Sequence, residues 1–460
     1  MATSTKSSKI SIENTLQIRW KNYRGFKDTG LINLKPITLL IGPNNSGKSS
    51  ILSPLLLLAQ TMHSIDGNAN LITNGSFIDV GNYRDIANDH DVSKDIFFGL
   101  RFLSGKLPEP QPVGAYPPGG LDLTFTSDSK PNSISLKSFA TFDLLDRPYF
   151  SMERNPSGEY NLTGAININK MKANEKEAIK KTTPMNFLFS PNEVLFNLES
   201  KNNKKFTPST NFEFSKDFSH FLRAAGFSYS SARSLLDEIS YIGPLREKLH
   251  RYYRVSIEEP ETVGARGENV ANLLRKNLSR LEGDINKWIN EFEFGEKITC
   301  DDLGDDFFQL HFIKNGKKIN VADAGFGASQ VLPLIVQALV SQNESLTIAE
   351  QPEIHLNPRL QCSLADLFVQ MANNNHRILI ETHSEHLITR MRRLIASKQI
   401  DSSEVGLFFV EQNSESSSIR EIQIQQNGGI VSSEWPKGFF NDALRESLAL
   451  ASAQSNLKVK

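Results

Sequence analysis

Apolar and polar positions alternate near the start of the chain. Leu16, Ile18 and Trp20 recur at every second residue, and residues 96–103 alternate in the same way around Phe97, Phe98 and Leu100. That is the period of a half-buried strand. Between them, Ile37-Thr38-Leu39-Leu40-Ile41 is a short, nearly unbroken apolar run that predicts a buried strand. Residues 49–62 are rich in Leu and free of Gly and predict a helix, with Pro54 in its second turn as a kink point. Residues 1–15 read as a frayed lead-in, 22–30 as a polar turn, 31–34 as the lead into the buried strand, and 74–91 as an acidic loop.

From about residue 104 to 240 the pattern loosens. Pro and Gly crowd residues 108–120, a surface loop. Short strands are predicted at 121–125, 134–139 and 160–168, a charged exposed helix at 171–181 and a polar loop at 202–205. No phosphate-binding pattern occurs here. The segment reads as an insertion, for which partner recognition and structural elaboration weigh equally.

Regularity returns at 238–244, a strand and turn. Residues 245–254 are basic, with Arg246, Lys248, His250, Arg251 and Arg254 around Tyr252 and Tyr253. Contact with phosphates or bases is one reading; a solvated helix face is slightly favoured. Val270, Leu273, Leu274, Leu278, Leu281, Ile285, Trp288 and Phe292 recur at helical spacing and predict an amphipathic helix. Two strands are expected at 307–313 and 318–321 around a Lys-Asn-Gly-Lys turn. A helix near Ser329 then opens a strand-helix alternation: strand 346–349, helix 359–372, strand 377–381, helix 384–395, strand 405–410. Such alternation implies parallel strands with helical crossovers. The tail, 441–453, reads as a last helix, and no internal repeat is present.

Composition narrows the picture. The chain has 460 residues, 39% hydrophobic, with 51 Lys+Arg against 52 Asp+Glu. Affinity for nucleic acid therefore cannot come from bulk charge, although a local basic patch is compatible. Cys300 and Cys362 share no metal spacing and suggest no disulfide framework. The polar first residues do not read as a signal peptide, and the longest apolar run, 55–59, is far shorter than a membrane span. A soluble cytoplasmic protein is expected, with no membrane partner.

Candidate chemistry centres on GPNNSGKSS, Gly42 to Ser50, which fits the phosphate-loop pattern and lies between the predicted strand and helix. Gly42 and Gly47 permit backbone angles and a close approach that a side chain would block. The loop through Pro43, Asn44, Asn45 and Ser46 can then turn consecutive N–H groups on a polyphosphate at a helix N-terminus. Lys48 would reach the outer phosphates, and the Ser49 hydroxyl would be a Mg²⁺ ligand. Glu350 ends an apolar strand, where an α/β sheet presents ligands, and could hold Mg²⁺. His383 ends a second strand and could hydrogen-bond near a terminal phosphate as a neutral imidazole. Gly325, Gly327, Ser329 and Gln330 form a glycine-rich turn opening a helix, a second anion site.

In this order the motifs resemble the ABC-type ATPases of the SMC/RecF/OLD group, over residues 16–62 and about 237–411. GFGASQVLP stands for the signature, AEQPEIHLNP for the Walker B strand and D-loop, and ETHSEHLITRM for the switch. In detail, and with WPKGFFNDA near the end of the chain, it is similar to the PtuA-like ATPases of Septu and retron anti-phage defence.

The resemblance implies an α/β fold: an ABC-type head of mixed sheet, parallel strands and helical crossovers, with an inserted β-rich and helical subdomain. Residues 1–103 and 237–460 would form the head and 104–236 the insert. It implies ATP and Mg²⁺ as ligands. It gives Lys48, Ser49, Glu350 and His383 their family roles, and Gly327, Ser329 and Gln330 contact with the γ-phosphate of a second copy's nucleotide. Asn22 and Arg24 fall where the group places nucleotide contacts. The implied partners are a second copy in a head-to-tail dimer or higher oligomer, an HNH-type nuclease, and a retron reverse transcriptase with its DNA. With no nuclease acid cluster visible and no acidic OLD-type domain at the chain's end, the nuclease is expected in trans.

One departure matters. Gln351 stands where the group has its catalytic Glu, and an amide positions water but cannot take its proton. Either Glu353 substitutes, or turnover is slow and ATP binding is the switch. The rival reading is a RecF/SMC-like DNA-repair ATPase that binds DNA directly, which a steep salt dependence of DNA affinity would favour. A metabolic phosphate-loop kinase has no need of the signature turn.

Overall fold

The computed structural model describes residues 11–67, 69–106, 118–128, 134–202, 213–257 and 259–431, with Trp435, Ala449, Leu450 and Ser452. The expected readings at 1–10, 108–117 and 203–205, most of WPKGFFNDA and most of the last helix lie outside them. The chain divides into two compact units, the first from Met1–Leu34, Ser49–Ile239 and Gln412–Ser418, the second from Lys35–Lys48, Ser240–Glu411 and Ile419–Lys460. Among the described residues no helix is long and apolar enough to cross a membrane.

The first unit is organised on an eight-stranded sheet. Its order is Phe26–Asp28, Ser11–Tyr23, Ile96–Lys106, Gly120–Ser127, Ile134–Phe142, Pro148–Arg154 and Tyr160–Gly164, with Ile32–Leu34 also paired to Ser11–Tyr23. Its neighbouring strands pair antiparallel. Ile96–Lys106 passes through residue 104, so both sides of that position share one sheet. The core is aromatic: Phe98 meets Trp20, Tyr23 and Phe125 with ring centroids 5.3, 5.4 and 5.6 Å apart. Helices Pro191–Asn202 and Lys216–Asp237 follow, and Phe221 packs on Phe150 at 5.1 Å.

Neither helix is legible from periodicity, because the buried face of Lys216–Asp237 includes Ala224, Ala225, Ser228 and Ala232, small residues that barely register as apolar. Strand Pro148–Arg154 is likewise unforeseen. The polar turn at 22–30 closes a hairpin instead, with Tyr23 paired to Phe26. The helix expected to be exposed, Ala173–Lys181, buries Glu175, Ala178 and Ile179.

The second unit carries the strand-helix alternation. Its main sheet runs Ile239–Ile242, Leu346–Glu350, Arg377–Glu381, Ile37–Ile41, Val405–Gln412, Ser417–Ile422. Leu346–Glu350, Arg377–Glu381, Ile37–Ile41 and Val405–Gln412 are parallel neighbours. Helices Pro358–Asn373 and Glu385–Ala396 make the crossovers. Each begins where the sequence supplies a cap: Asn357 accepts from Leu360 N, with Pro358 in the first turn, and Ser384 accepts from Leu387 N. Successive residues Ile37 to Ile41, and Ile378, Leu379 and Ile380, are all buried, as strands covered on both faces require. A small antiparallel sheet of Lys297–Leu303, Phe307–Lys314, Lys317–Asn320 and Tyr253–Arg254 lies beside it in sequence. This mixed α/β architecture is the fold class expected.

Two expectations in this unit are corrected. The helix expected near Ser329 begins at Phe326, because Gly325 takes φ +85° and turns the chain one residue before it. The basic stretch 245–254 is not a helix; it runs as loop into the two-residue strand Tyr253–Arg254. Arg246, expected on a solvated or phosphate-facing surface, is buried.

Candidate functional site

Parallel pairing places the chemistry. Glu350 is in register with Glu381, Glu381 with Leu40, and Leu40 with Phe408. The C-terminal ends of these strands therefore form one edge, and the phosphate loop, the Gln351–Pro358 loop and the Thr382–Ser384 turn all leave the sheet there.

The phosphate loop follows Ile41 directly. Gly42 takes φ +151°, and a Cβ there would lie 2.1 Å from Val410 O, so no other residue fits. Asn45 and Gly47 also take positive φ, at +61° and +103°. Pro43, Asn44 and Asn45 are exposed, whereas Ser46 is buried with its Oγ unpartnered. Lys48 Nζ donates to Gly42 O at 3.1 Å and Pro43 O at 2.8 Å, and lies 3.9 Å from Glu381 Oε1. Burial lowers its pKa, opposed by Glu381 and Glu353. An ammonium held by main-chain carbonyls of a loop with an orphaned hydroxyl fits a polyphosphate, whose oxygens would offer both groups partners.

Beside the loop is a pocket of ≈ 570 Å³ lined by Asn44, Gln351, Glu353, His355, Gln361 and His383, among others. Gln351 adopts φ +45°, a strained conformation for a residue with a side chain, and its N–H donates to Glu381 O at 2.8 Å. Glu353 is 8% exposed. Its Oε1 accepts the His383 backbone N–H at 2.6 Å, while its Oε2 is buried without a hydrogen bond. Burial pushes its carboxyl up, against the pull of backbone N–H groups, Thr382 and Arg246. His383 is half-buried, and burial, then the Lys48 charge, lower its pKa, so the imidazole is neutral at pH 7.

Glu350 is held twice. Tyr241 Oη donates to its Oε1 at 2.8 Å, and Arg246 Nη2 donates to its main-chain oxygen at 2.9 Å. Burial first, then the Glu350 charge, push the Tyr241 phenol far up, so it remains a donor. Among the described residues no group of three or more His, Cys, Asp or Glu could hold a metal.

The glycine-rich turn has two faces. Gly325 and Phe326 are exposed and Gly327 half-buried, and a Cβ on Gly325 would meet nothing within 4 Å. The Phe326 ring meets the His355 ring edge-on at 4.7 Å. Ser329 and Gln330, expected to reach a nucleotide, are instead buried: Ser329 Oγ donates to Phe326 O at 2.6 Å and Gln330 Nε2 to Ser329 Oγ at 3.4 Å. Starting the helix at Phe326 places Ser329 at the close of its first turn and Gln330 in its second, rather than at its mouth.

Within the second unit the structure thus brings together Lys48, Glu350, Gln351, Glu353 and His383. Asn22, Arg24, Ser49 and Ser50 belong to the first unit. There Asn22 Nδ2 donates to Asp95 O at 3.0 Å and the Arg24 backbone N–H to Ile86 O at 2.8 Å. Asn22 and Arg24 both take positive φ. Sequence reasoning missed Tyr241 and Glu381 and placed Arg246 on a solvated or phosphate-facing surface. The signal of the first two was a Tyr and a Glu in mostly apolar strands, which becomes informative only once burial is known.

A family model described as an AAA ATPase domain matches residues 16–388. A second, described as a protein of unknown function (DUF3696), matches residues 400–450. No curated protein matches the chain. Among solved structures, the chain is similar to an Smc head bound to the C-winged helix domain of ScpA, at 11% identity and TM-score 0.39, covering 90% of this chain and 99% of that one. It is similar to the SMC head domain from Thermotoga maritima, at 10% identity and TM-score 0.37, covering 90% and 100%. It is also similar to an Smc head with an extended coiled coil bound to the C-terminal domain of ScpA derived from Pyrococcus furiosus, at 10% identity and TM-score 0.38, covering 90% and 97%.

Proposed function

The chain belongs to the AAA ATPase domain family, and from that premise we propose an ABC-type ATPase that clamps ATP between two copies of itself. The observation that carries the reading is the pocket shared by Asn44, Gln351, Glu353 and His383, next to a phosphate loop whose Lys48 is held by main-chain carbonyls. Lys48 and the loop N–H groups bind and orient the outer phosphates. Glu350, fixed by Tyr241, and, as the phosphate-loop motif implies, the Ser49 hydroxyl would hold Mg²⁺, which would offset the charge of the phosphate oxygens.

Glu353 takes the base's role that Gln351 cannot. Its buried, unbonded Oε2 and its raised carboxyl suit an acceptor of a proton from water. Gln351 orients that water with its amide, and the neutral His383 donates or accepts a hydrogen bond at the terminal phosphate. The signature turn serves the second copy through the backbone of exposed Gly325 and half-buried Gly327 at a helix N-terminus, rather than through the Ser329 side chain.

The biological role we propose is the ATPase subunit of a prokaryotic anti-phage defence complex that controls a partner nuclease, ATP-bound and ATP-free states differing in partner contacts. Its support is the likeness of the motifs GFGASQVLP, AEQPEIHLNP and ETHSEHLITRM to the PtuA-like group. The test is affinity purification of the full chain from its own host, with and without ATP. An HNH-type nuclease, or a reverse transcriptase with its DNA, is the expected companion. A chain that purifies alone and binds duplex ends with a steep salt slope would instead be the DNA-repair ATPase.

A further inference from the structure

Arg246 is 6% exposed, a rare state for a guanidinium. Among the described residues it pairs with no carboxylate at hydrogen-bonding distance. Its Nη1 donates to Gln330 O at 3.3 Å and its Nη2 to Glu350 O at 2.9 Å, while its Nε is buried without a partner. Gln330 lies in the helix that the signature turn opens, and Glu350 ends the carboxylate strand. One rigid planar fork thus spans two main-chain carbonyls twenty residues apart in sequence, one in the helix after the signature turn and one at the end of the carboxylate strand.

The chain around Arg246 is itself fixed. Gly243 N donates to Ala265 O at 2.8 Å, and Glu247 N to Arg266 O at 2.8 Å. Three residues before Pro244, Tyr241 grips the Glu350 side chain. The segment Tyr241 to Arg246 therefore holds Glu350 by side chain and main chain together. Pro333, lacking an N–H, cannot donate to the Ser329 carbonyl one turn back, so the helix ladder is interrupted beside the carbonyl that Arg246 holds. A start that lacks a ladder bond is the part of the helix that most needs an outside tie.

We propose that Arg246 is a positioning residue that ties the start of the signature helix to the end of the carboxylate strand. A displacement at Glu350 is thereby transmitted to the turn at Gly325 to Gly327. A residue filling core volume could be apolar at lower desolvation cost; a guanidinium with two carbonyl acceptors on separate elements is suited to registering one against the other. The positioning itself stands on this geometry alone, and its consequence for a second copy rests on the sandwich reading above.

The test compares the full-length chain with R246K, which keeps the charge but cannot span both carbonyls, and R246Q. In hydrogen exchange without nucleotide, the amides of 327–332 in R246K are expected to exchange about tenfold faster, with the amides of Ile37–Ile41 unchanged. With ATP, fluorescent-nucleotide affinity should stay within about twofold, whereas ATP-dependent self-association and turnover should each fall about tenfold. Mixing R246K with Lys48→Ala chains, which keep an intact signature turn but lack the phosphate lysine, should raise turnover above the sum of the two alone. R246K that exchanges, associates and turns over like the unmodified chain overturns the inference and leaves the sandwich reading standing. An unmodified chain that stays monomeric with ATP overturns the sandwich, while the exchange data still decide the positioning role. If R246Q fails to fold, R246K decides.

Discussion

The two units of this chain differ in what their sheets do with strand ends. In the second unit four neighbouring strands run parallel, so Ile41, Glu350, Glu381 and Phe409 finish on one edge. Three functional loops leave from that edge, and the strained or unpartnered groups gather there: Gly42 at φ +151°, Gln351 at φ +45°, and the orphaned oxygens of Ser46 and Glu353. In the first unit an antiparallel sheet sends successive ends in opposite directions, and its centre is a cluster of rings on Phe98. Parallel topology concentrates chemistry; antiparallel topology spreads its loops and invests in packing. The second unit should therefore fail by losing activity, the first by losing stability.

The largest expected effect is at Lys48. Lys48→Ala should lower ATP turnover by at least about 10³-fold, or about 4 kcal/mol at 1.36 kcal/mol per decade. Equilibrium binding of a fluorescent ATP analogue should fall with it. Retained nucleotide binding would break the assignment of the second unit as the chemical one.

Phe98→Ala should cost about 3–4 kcal/mol of stability by emptying the ring cluster, read by denaturant unfolding, with nucleotide affinity of the remaining folded chain unchanged. An equal loss of affinity at temperatures where the variant is folded would erase the contrast between the units.

Glu353→Gln should reduce turnover about 100-fold, about 2.7 kcal/mol, with nucleotide affinity within about twofold. Its pH signature has a definite sign. The folded-state pKa of Glu353 is raised, so the native state favours the protonated acid. The stability that this contributes is present at low pH and lost as pH rises through the folded pKa. On the proposed mechanism ionised Glu353 is the base, so turnover should fall as pH drops through that same value, an acid limb that the Gln variant lacks. At neutral pH the Gln variant should melt about 1–2 °C higher, by calorimetry. An unchanged pH–rate profile would return the base's role to an unidentified group.

The smallest effect belongs to the surface of the first unit. Arg19 pairs with Asp28 at 2.6 Å, both side chains 38% exposed, and solvent screens such pairs strongly. Arg19→Ala should cost about 0.5 kcal/mol and leave turnover unchanged; a large loss of turnover would show that the first unit's surface takes part in the chemistry.

Local and short-range features were legible in the sequence alone. GPNNSGKSS between an apolar run and a Leu-rich stretch announces its own strand, loop and helix, because each is specified by residues within one turn or one strand. Asn357-Pro358 and Ser384 announce helix starts for the same reason. Through the alternation of apolar runs and helical periods, the order of elements in the second unit was legible too.

What required the fold was everything that depends on which carbonyl a side chain finds. Helix Lys216–Asp237 buries small residues that carry no hydrophobic signal, so only packing reveals it. Arg246 reads as surface charge in sequence and becomes a buried tie because Gln330 and Glu350 converge on it. Ser329 looks outward in the motif and turns inward because Gly325 begins the helix earlier. Residue types set the available chemistry locally; long-range pairing decided which of those groups share a pocket and which are spent holding it in place.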